Sequence, residues 1–191
     1  MMWRRARVIA ALLALVAGHA QAGEPTDQLR TEIDQLYRSV QQPASARAAD
    51  GTAVEILDRL FDWTRMAKAV LRRHWDTRTV AERAEFTALF AGLFRRAYIS
   101  RIHVVDASKF QYVGDEIDGD RATVKTKVST KRGSTLDVDY AVRRADGRRW
   151  RVEDVQVDRI SLIENYRTQF DAFLARQSYE ALVQKLRTAT K

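Results

Sequence analysis

The chain has 191 residues, with 33 Lys and Arg against 25 Asp and Glu, a formal net charge of +8, and no cysteine. A chain without cysteine can build neither a disulfide scaffold nor a lipoprotein anchor, so packing alone must hold it together. Its basic residues are interspersed with acids, as Arg121, Lys125, Lys127, Lys131 and Arg132 are among Asp118, Asp120, Asp137 and Asp139. That pattern describes a solvated face, and with no stacking-aromatic motif beside it, it argues against nucleic-acid binding; attraction to anionic lipid or an acidic partner stays open.

The first 22 residues have the three parts of a secretory signal. Arg4, Arg5 and Arg7 give a basic start, residues 8–17 an apolar run, and Ala20-Gln21-Ala22 a small-x-small cleavage site. The run is too short for a bilayer core, which needs roughly 20 apolar residues. The expectation is cleavage before Gly23 and export, leaving 23–191 as a single domain. An exported chain of this size without cysteine suits a bacterial periplasm.

From Thr26, the residues Leu29, Ile33, Leu36, Tyr37 and Val40 recur at helical spacing and stop before Pro43. The following QQPASARAADG is linker-like and would let this helix lie across the outside of the domain. Two short helices are expected over 54–61 and 63–71, with Asp62 placed to cap the second. Thr79-Val80-Ala81-Glu82 is a capping box that opens the longest helix, whose apolar face is Phe86, Leu89, Phe90, Leu93, Phe94, Ala97, Tyr98 and Ile102.

Between Lys109 and Arg159 the period changes to two, and Asp118-Gly119, Arg132-Gly133 and Asp146-Gly147 supply turns. Ala122, Val124, Thr126 and Val128, then Leu136, Val138, Tyr140 and Val142, form one apolar face over a wet one. In the last strand the parity slips between Val152 and Val155, which predicts a bulge near Glu153-Asp154. Ser161-Leu162-Ile163-Glu164 is a second capping box, starting a helix with the stripe Ile163, Tyr166, Phe170 and Phe173. A final helix from Ser178 carries Tyr179, Leu182, Val183 and Leu186. The expected fold is α+β: a curved antiparallel sheet of about four strands in a meander, covered on one face by several α-helices with an apolar pocket between.

Chemistry-bearing motifs are sparse. Beyond the signal, His74 and His103 lie far apart, and His74-Trp75-Asp76 reads as a loop that packs Trp75 rather than an acid/base pair, because no third group orients the base. No phosphate loop, nucleophile elbow or zinc-protease helix is present. Asp137 and Asp139 share the wet side of a strand, where solvation suits them better than catalysis. The apolar stripes could be ordinary core or could border a cavity, and periodicity does not separate the two.

The segments FDWTRMAKAVLRRHW, TVAERAEFTALFAGLFRRAYISRI, YVGDEIDGDRATVKTKV and WRVEDVQVDRISLIENYRTQF together resemble the MlaC, or toluene-tolerance, family. The resemblance covers most of 54–186 and is most specific in the last segment. It implies a periplasmic phospholipid-binding component of an ABC transport system that maintains outer-membrane lipid asymmetry. It further implies no enzyme activity and no cofactor, and two docking partners, an inner-membrane transporter complex and an outer-membrane lipoprotein complex. Two positions depart from the family pattern: Arg72 and Arg159 stand where glycine is usual.

On this reading the predicted facing assigns acyl chains to Val124, Val128, Val138, Tyr140, Val142 and Trp150 on the sheet and to Phe90, Phe94, Tyr98, Tyr166 and Phe170 on the helices, with the headgroup near Arg101 or Arg167. The protein is expected to be a monomer. The alternative is a small pocket enzyme of isomerase or hydratase type with Tyr140 or Asp154 as its polar residue, and a third reading is a filled-core adaptor.

Overall fold

The computed structural model describes residues 23–41, 51–102, 104–145, 147 and 149–190. The expected signal segment, most of the linker, His103 and Asp146 lie outside the described residues. In chain order the elements are α1 (Glu24–Gln41), α2 (Thr52–Leu60), α3 (Trp63–Leu71), a single 3-10 turn (Arg72–His74) and α4 (Val80–Ile102). Then come β1 (Val105–Asp118), β2 (Arg121–Thr130), β3 (Thr135–Ala145), β4 (Arg149–Val157), β5 (Ile160–Ser161), α5 (Leu162–Leu174) and α6 (Tyr179–Ala189). No helix among the described residues is long and apolar enough to cross a membrane.

The predicted cap at Asp62 forms, its carboxylate accepting from Arg65 N–H at 3.0 Å; at α6 the Ser178 hydroxyl also caps, accepting from Ala181 N–H at 3.2 Å. Thr79 and Glu82 satisfy each other's free backbone donors, at 2.7 and 3.2 Å. Those bonds, led by the Thr79 backbone N–H, hold the Glu82 carboxyl below its ordinary value. At α5 only half of the expected capping box forms: the Ser161 hydroxyl accepts from Glu164 N–H at 2.9 Å, while the Glu164 carboxylate turns to Arg167 instead of the Ser161 N–H.

The sheet is an antiparallel meander in the order β1-β2-β3-β4-β5. The expected bulge is present: Ala141 faces Asp154 and Val142 faces Val152, so Glu153 is the extra residue, and both Val152 and Val155 point inward. Asp154 Oδ1 accepts the backbone N–H groups of Val155, at 2.8 Å, and Ile163, at 3.1 Å, which ties the bulge to the start of α5.

β5 is an addition to the four expected strands. It pairs with the end of β4 through a two-residue turn in which Asp158 and Arg159 have φ of 48° and 68°. A hairpin turn with two positive φ angles favours an Asx-Gly pair, so Asp-Arg carries no turn signal in the sequence. Arg72, at the end of α3, has φ 44° and ψ −112°. Arg72 and Arg159 therefore both hold backbone conformations that suit glycine.

α1 is not draped over the outside. Leu29, Ile33 and Leu36 are buried, each at most 2 % exposed, and the helix is clasped by polar bonds at several heights. Asp115 on β1 accepts from Gly23 N–H, Thr26 N–H and the Thr26 hydroxyl, covering the free donors at the helix start. The Gln28 amide exchanges two bonds with the Trp150 backbone, at 2.6 and 3.0 Å, which occupies an edge of β4 that no strand covers there. Glu32, a buried carboxylate, reaches Arg59 on α2 and Arg149 on β4. A surface helix would leave these strand-edge and carboxylate groups in water; in the fold they hold α1 in the core.

Candidate functional site: an apolar cavity between sheet and helices

The covered face of the sheet has two ends. At one end, the start of β2, the end of β3 and the start of β4 meet, placing Ala122, Val124, Val142, Trp150 and Val152 together. α2 and α3 close this end: Phe61 bridges to Val152, and the Asp62 backbone N–H donates to Val152 O at 2.9 Å. Phe61, Phe86, Phe90 and Phe94 fill the remaining space with rings, Phe61 and Phe94 being 5.2 Å apart and Phe90 and Phe94 6.0 Å apart. This end is solid.

At the other end, the start of β1, the end of β2, the start of β3 and the end of β4 face the last two turns of α4 and the first turns of α5. Here a cavity of about 400 Å³ remains. Its sheet wall is Val105, Phe110, Val128, Thr130, Leu136, Val138, Tyr140, Val155 and Val157. Its helix wall is Phe94, Ala97, Tyr98, Arg101 and Ile102 on α4, Leu162 and Tyr166 on α5, and Tyr37 on α1. Val104 completes the lining and, with Arg101, is exposed at the mouth.

Of the residues assigned from predicted facing, Phe94, Tyr98, Val128, Val138, Tyr140, Tyr166 and Arg101 border this cavity. Phe90, Val124, Val142, Trp150 and Phe170 do not; they are buried side chains of the core outside its lining. The difference has a simple cause: alternation says which face a strand residue points to, not which end of the sheet the helices leave uncovered. Arg167 is also absent from the lining, its guanidinium turned to Glu164 one helical turn away. Val155, Val157 and Leu136 could have been found from the bulge and the β3 alternation. Val105 and Phe110 could not, because β1 is irregular between them and again between Tyr112 and Gly114.

The lining is apolar apart from Thr130, Arg101 and the phenols of Tyr37, Tyr98, Tyr140 and Tyr166. The Tyr98 and Tyr140 hydroxyls are 3.2 Å apart. Burial pushes both phenols above their ordinary value, and the nearby Tyr140 adds to the effect on Tyr98, so both stay neutral at physiological pH. Tyr166 is raised by burial, with Arg101 opposing. Arg101 is the single cation of the lining.

Groups that could do other chemistry are engaged elsewhere. His74 Nε2 lies 3.1 Å from Asp171 on α5 and does not form the acid/base pair with Asp76; Trp75 beside it is buried under Arg83. Asp137 pairs with Lys127 at 2.7 Å on the wet face, which lowers its carboxyl. No cluster of metal-ligating side chains occurs among the described residues.

No curated protein matches the chain. Among solved structures, a phospholipid-binding protein from Ralstonia solanacearum, determined in complex with a phospholipid, superposes with a TM-score of 0.72 at 20% identity, over 88% of this chain and 97% of that one. The fold is therefore shared with that protein. A family model described as MlaC protein matches residues 27–188, and the chain belongs to the MlaC family.

Proposed function

We propose that this protein binds a phospholipid in the cavity between sheet and α4 and carries it through the periplasm. The observation that carries the reading is the cavity itself, about 400 Å³, walled almost wholly by apolar side chains and reaching the surface at Arg101 and Val104. Its size is within the roughly 300–1,000 Å³ of small-molecule sites. A diacyl lipid has on the order of 30 methylenes, and at about 0.8 kcal/mol each their exposure to water costs roughly 25 kcal/mol. A carrier that shields the chains removes most of that barrier and needs no bond-making residue. The phospholipid in the Ralstonia solanacearum protein and membership of the MlaC family support the same assignment.

In this reading the first 22 residues are removed on export, residues 23–191 act as one domain and a monomer, and the lipid passes between an inner-membrane ABC transporter complex and an outer-membrane lipoprotein complex. The pocket-enzyme alternative relied on Tyr140 or Asp154. Asp154 is outside the lining and engaged with two backbone donors, which favours the carrier.

Mass spectrometry of protein purified from periplasm without detergent tests the reading. One phospholipid per chain under native conditions, recovered after solvent extraction, is the expected result. A bare protein mass with no uptake from lipid vesicles would overturn it.

A further inference from the structure

The cavity holds one polar device that shielding alone does not require. The Tyr98 and Tyr140 hydroxyls, one on α4 and one on β3, lie 3.2 Å apart in a wall whose other polar groups are Thr130, Arg101 and the phenols of Tyr37 and Tyr166, and Tyr140 is 2 % exposed. Two neutral phenols own two O–H protons. One proton fills the space between the oxygens, and the other has no protein acceptor among the described residues. A buried donor left without an acceptor costs roughly 1–3 kcal/mol, so the pair is organised to donate to something that enters the cavity. Acyl methylenes offer no lone pair. An ester carbonyl offers two.

Arg101 supplies the second point. It follows Tyr98 by three residues on α4, so it shares that helix face about 4.5 Å further along the axis. It is exposed at the cavity mouth and has no carboxylate partner among the described residues. In a glycerophospholipid an ester carbonyl and the phosphate are separated by only a few bonds, a spacing close to one helical turn.

We propose that the Tyr98–Tyr140 pair donates a hydrogen bond to an acyl-ester carbonyl of the bound lipid while Arg101 holds its phosphate, so that the cavity selects ester-linked over ether-linked glycerophospholipids. The inference rests on the phospholipid reading above and adds a chemical selectivity to it. It also sets the depth of the lipid, with the glycerol level with Tyr98 and only the chains beyond.

Vesicles containing equal amounts of diester and diether phosphatidylglycerol of the same chain length provide the test, with the loaded protein read by native mass spectrometry. The unmodified protein is expected to favour the diester about fivefold, the ratio a hydrogen bond of about 1 kcal/mol gives. Replacing both tyrosines, Tyr98→Phe with Tyr140→Phe, is expected to bring diester uptake down to the diether level. Arg101→Gln is expected to lower uptake of both lipids severalfold at an unchanged ratio. Equal loading of the two lipids by the unmodified protein overturns the tyrosine assignment and leaves the phospholipid reading intact. Undiminished loading of Arg101→Gln overturns the phosphate contact. Uptake of neither lipid by the unmodified protein overturns the inference together with the reading beneath it.

Discussion

The two ends of the covered sheet face are built from the same kinds of residue and do opposite things. Ala122, Val124, Val142, Trp150 and Val152 meet α2, α3 and the phenylalanines of α4 in solid packing. Val128, Leu136, Val138, Val155 and Val157, on the same strands, border a void. Composition does not distinguish them. The difference is that α2 and α3 deliver Phe61 and Met66 to one end, whereas among the described residues the other end meets α4, the start of α5 and Tyr37 of α1. An apolar face becomes core where a second layer reaches it and a binding site where that layer stops short.

The contrast can be broken most sharply with paired truncations. Trp150→Ala at the solid end should cost about 3–5 kcal/mol, because a fully packed ring leaves a cavity that cannot collapse. Val138→Ala, beside an existing void, should cost about 1 kcal/mol or less, since its outer side has few packing partners to lose. Urea denaturation measures both, and similar losses would mean that the two ends are equally packed.

Charge sharpens the comparison next. Val138→Asp, half-buried at the cavity, should leave the domain folded by circular dichroism while lipid uptake falls at least tenfold, the effect of placing an unpaired carboxylate against acyl chains. Retained uptake would remove Val138 from the lining. Tyr140→Asp is a poorer probe, because Tyr140 is buried and an aspartate there would disturb the fold itself.

Smaller effects are expected where the backbone shapes these ends. Arg72→Gly and Arg159→Gly should each raise stability by about 1 kcal/mol, since each replaces a side chain held at positive φ. A loss in either case would mean that the arginine side chain contributes more than the backbone strain removes. Thr79→Ala should cost about 1 kcal/mol through the start of α4. The Glu82 side of the same cap has a pH signature. Its folded pKa lies below the ordinary 4.5, so its contribution is present above that value and fades as pH falls through the folded pKa. The stability difference between the parent and Glu82→Gln should therefore narrow in acid, and a constant difference would remove the Glu82 charge from the account.

Much of this architecture was legible in the chain because it depends on local rules. The caps at Asp62, Thr79 and Ser161 are side chains bonding to a backbone three residues on, and the bulge at Glu153 is a break in a two-residue period. The β5 hairpin was hidden because Asp158-Arg159 adopts a turn that normally advertises itself with glycine. The clasping of α1 was hidden because Gln28, Glu32 and Thr26 look like solvent-facing residues until Trp150, Arg149, Arg59 and Asp115 arrive from distant parts of the chain.

Apart from β5 and its turn, the sequence by itself determined the main element types, the face each presents, the caps and the absence of disulfides, since each follows from periodicity or from bonds a few residues long. Only the tertiary structure decided which end of the apolar face stays hollow, that Phe90, Val124, Val142, Trp150 and Phe170 are core while Tyr37, Ile102 and Val157 line the cavity, and that Tyr98 and Tyr140 meet. Those outcomes depend on how far α2 and α3 reach over the sheet, a distance set by long-range packing that local patterns do not encode.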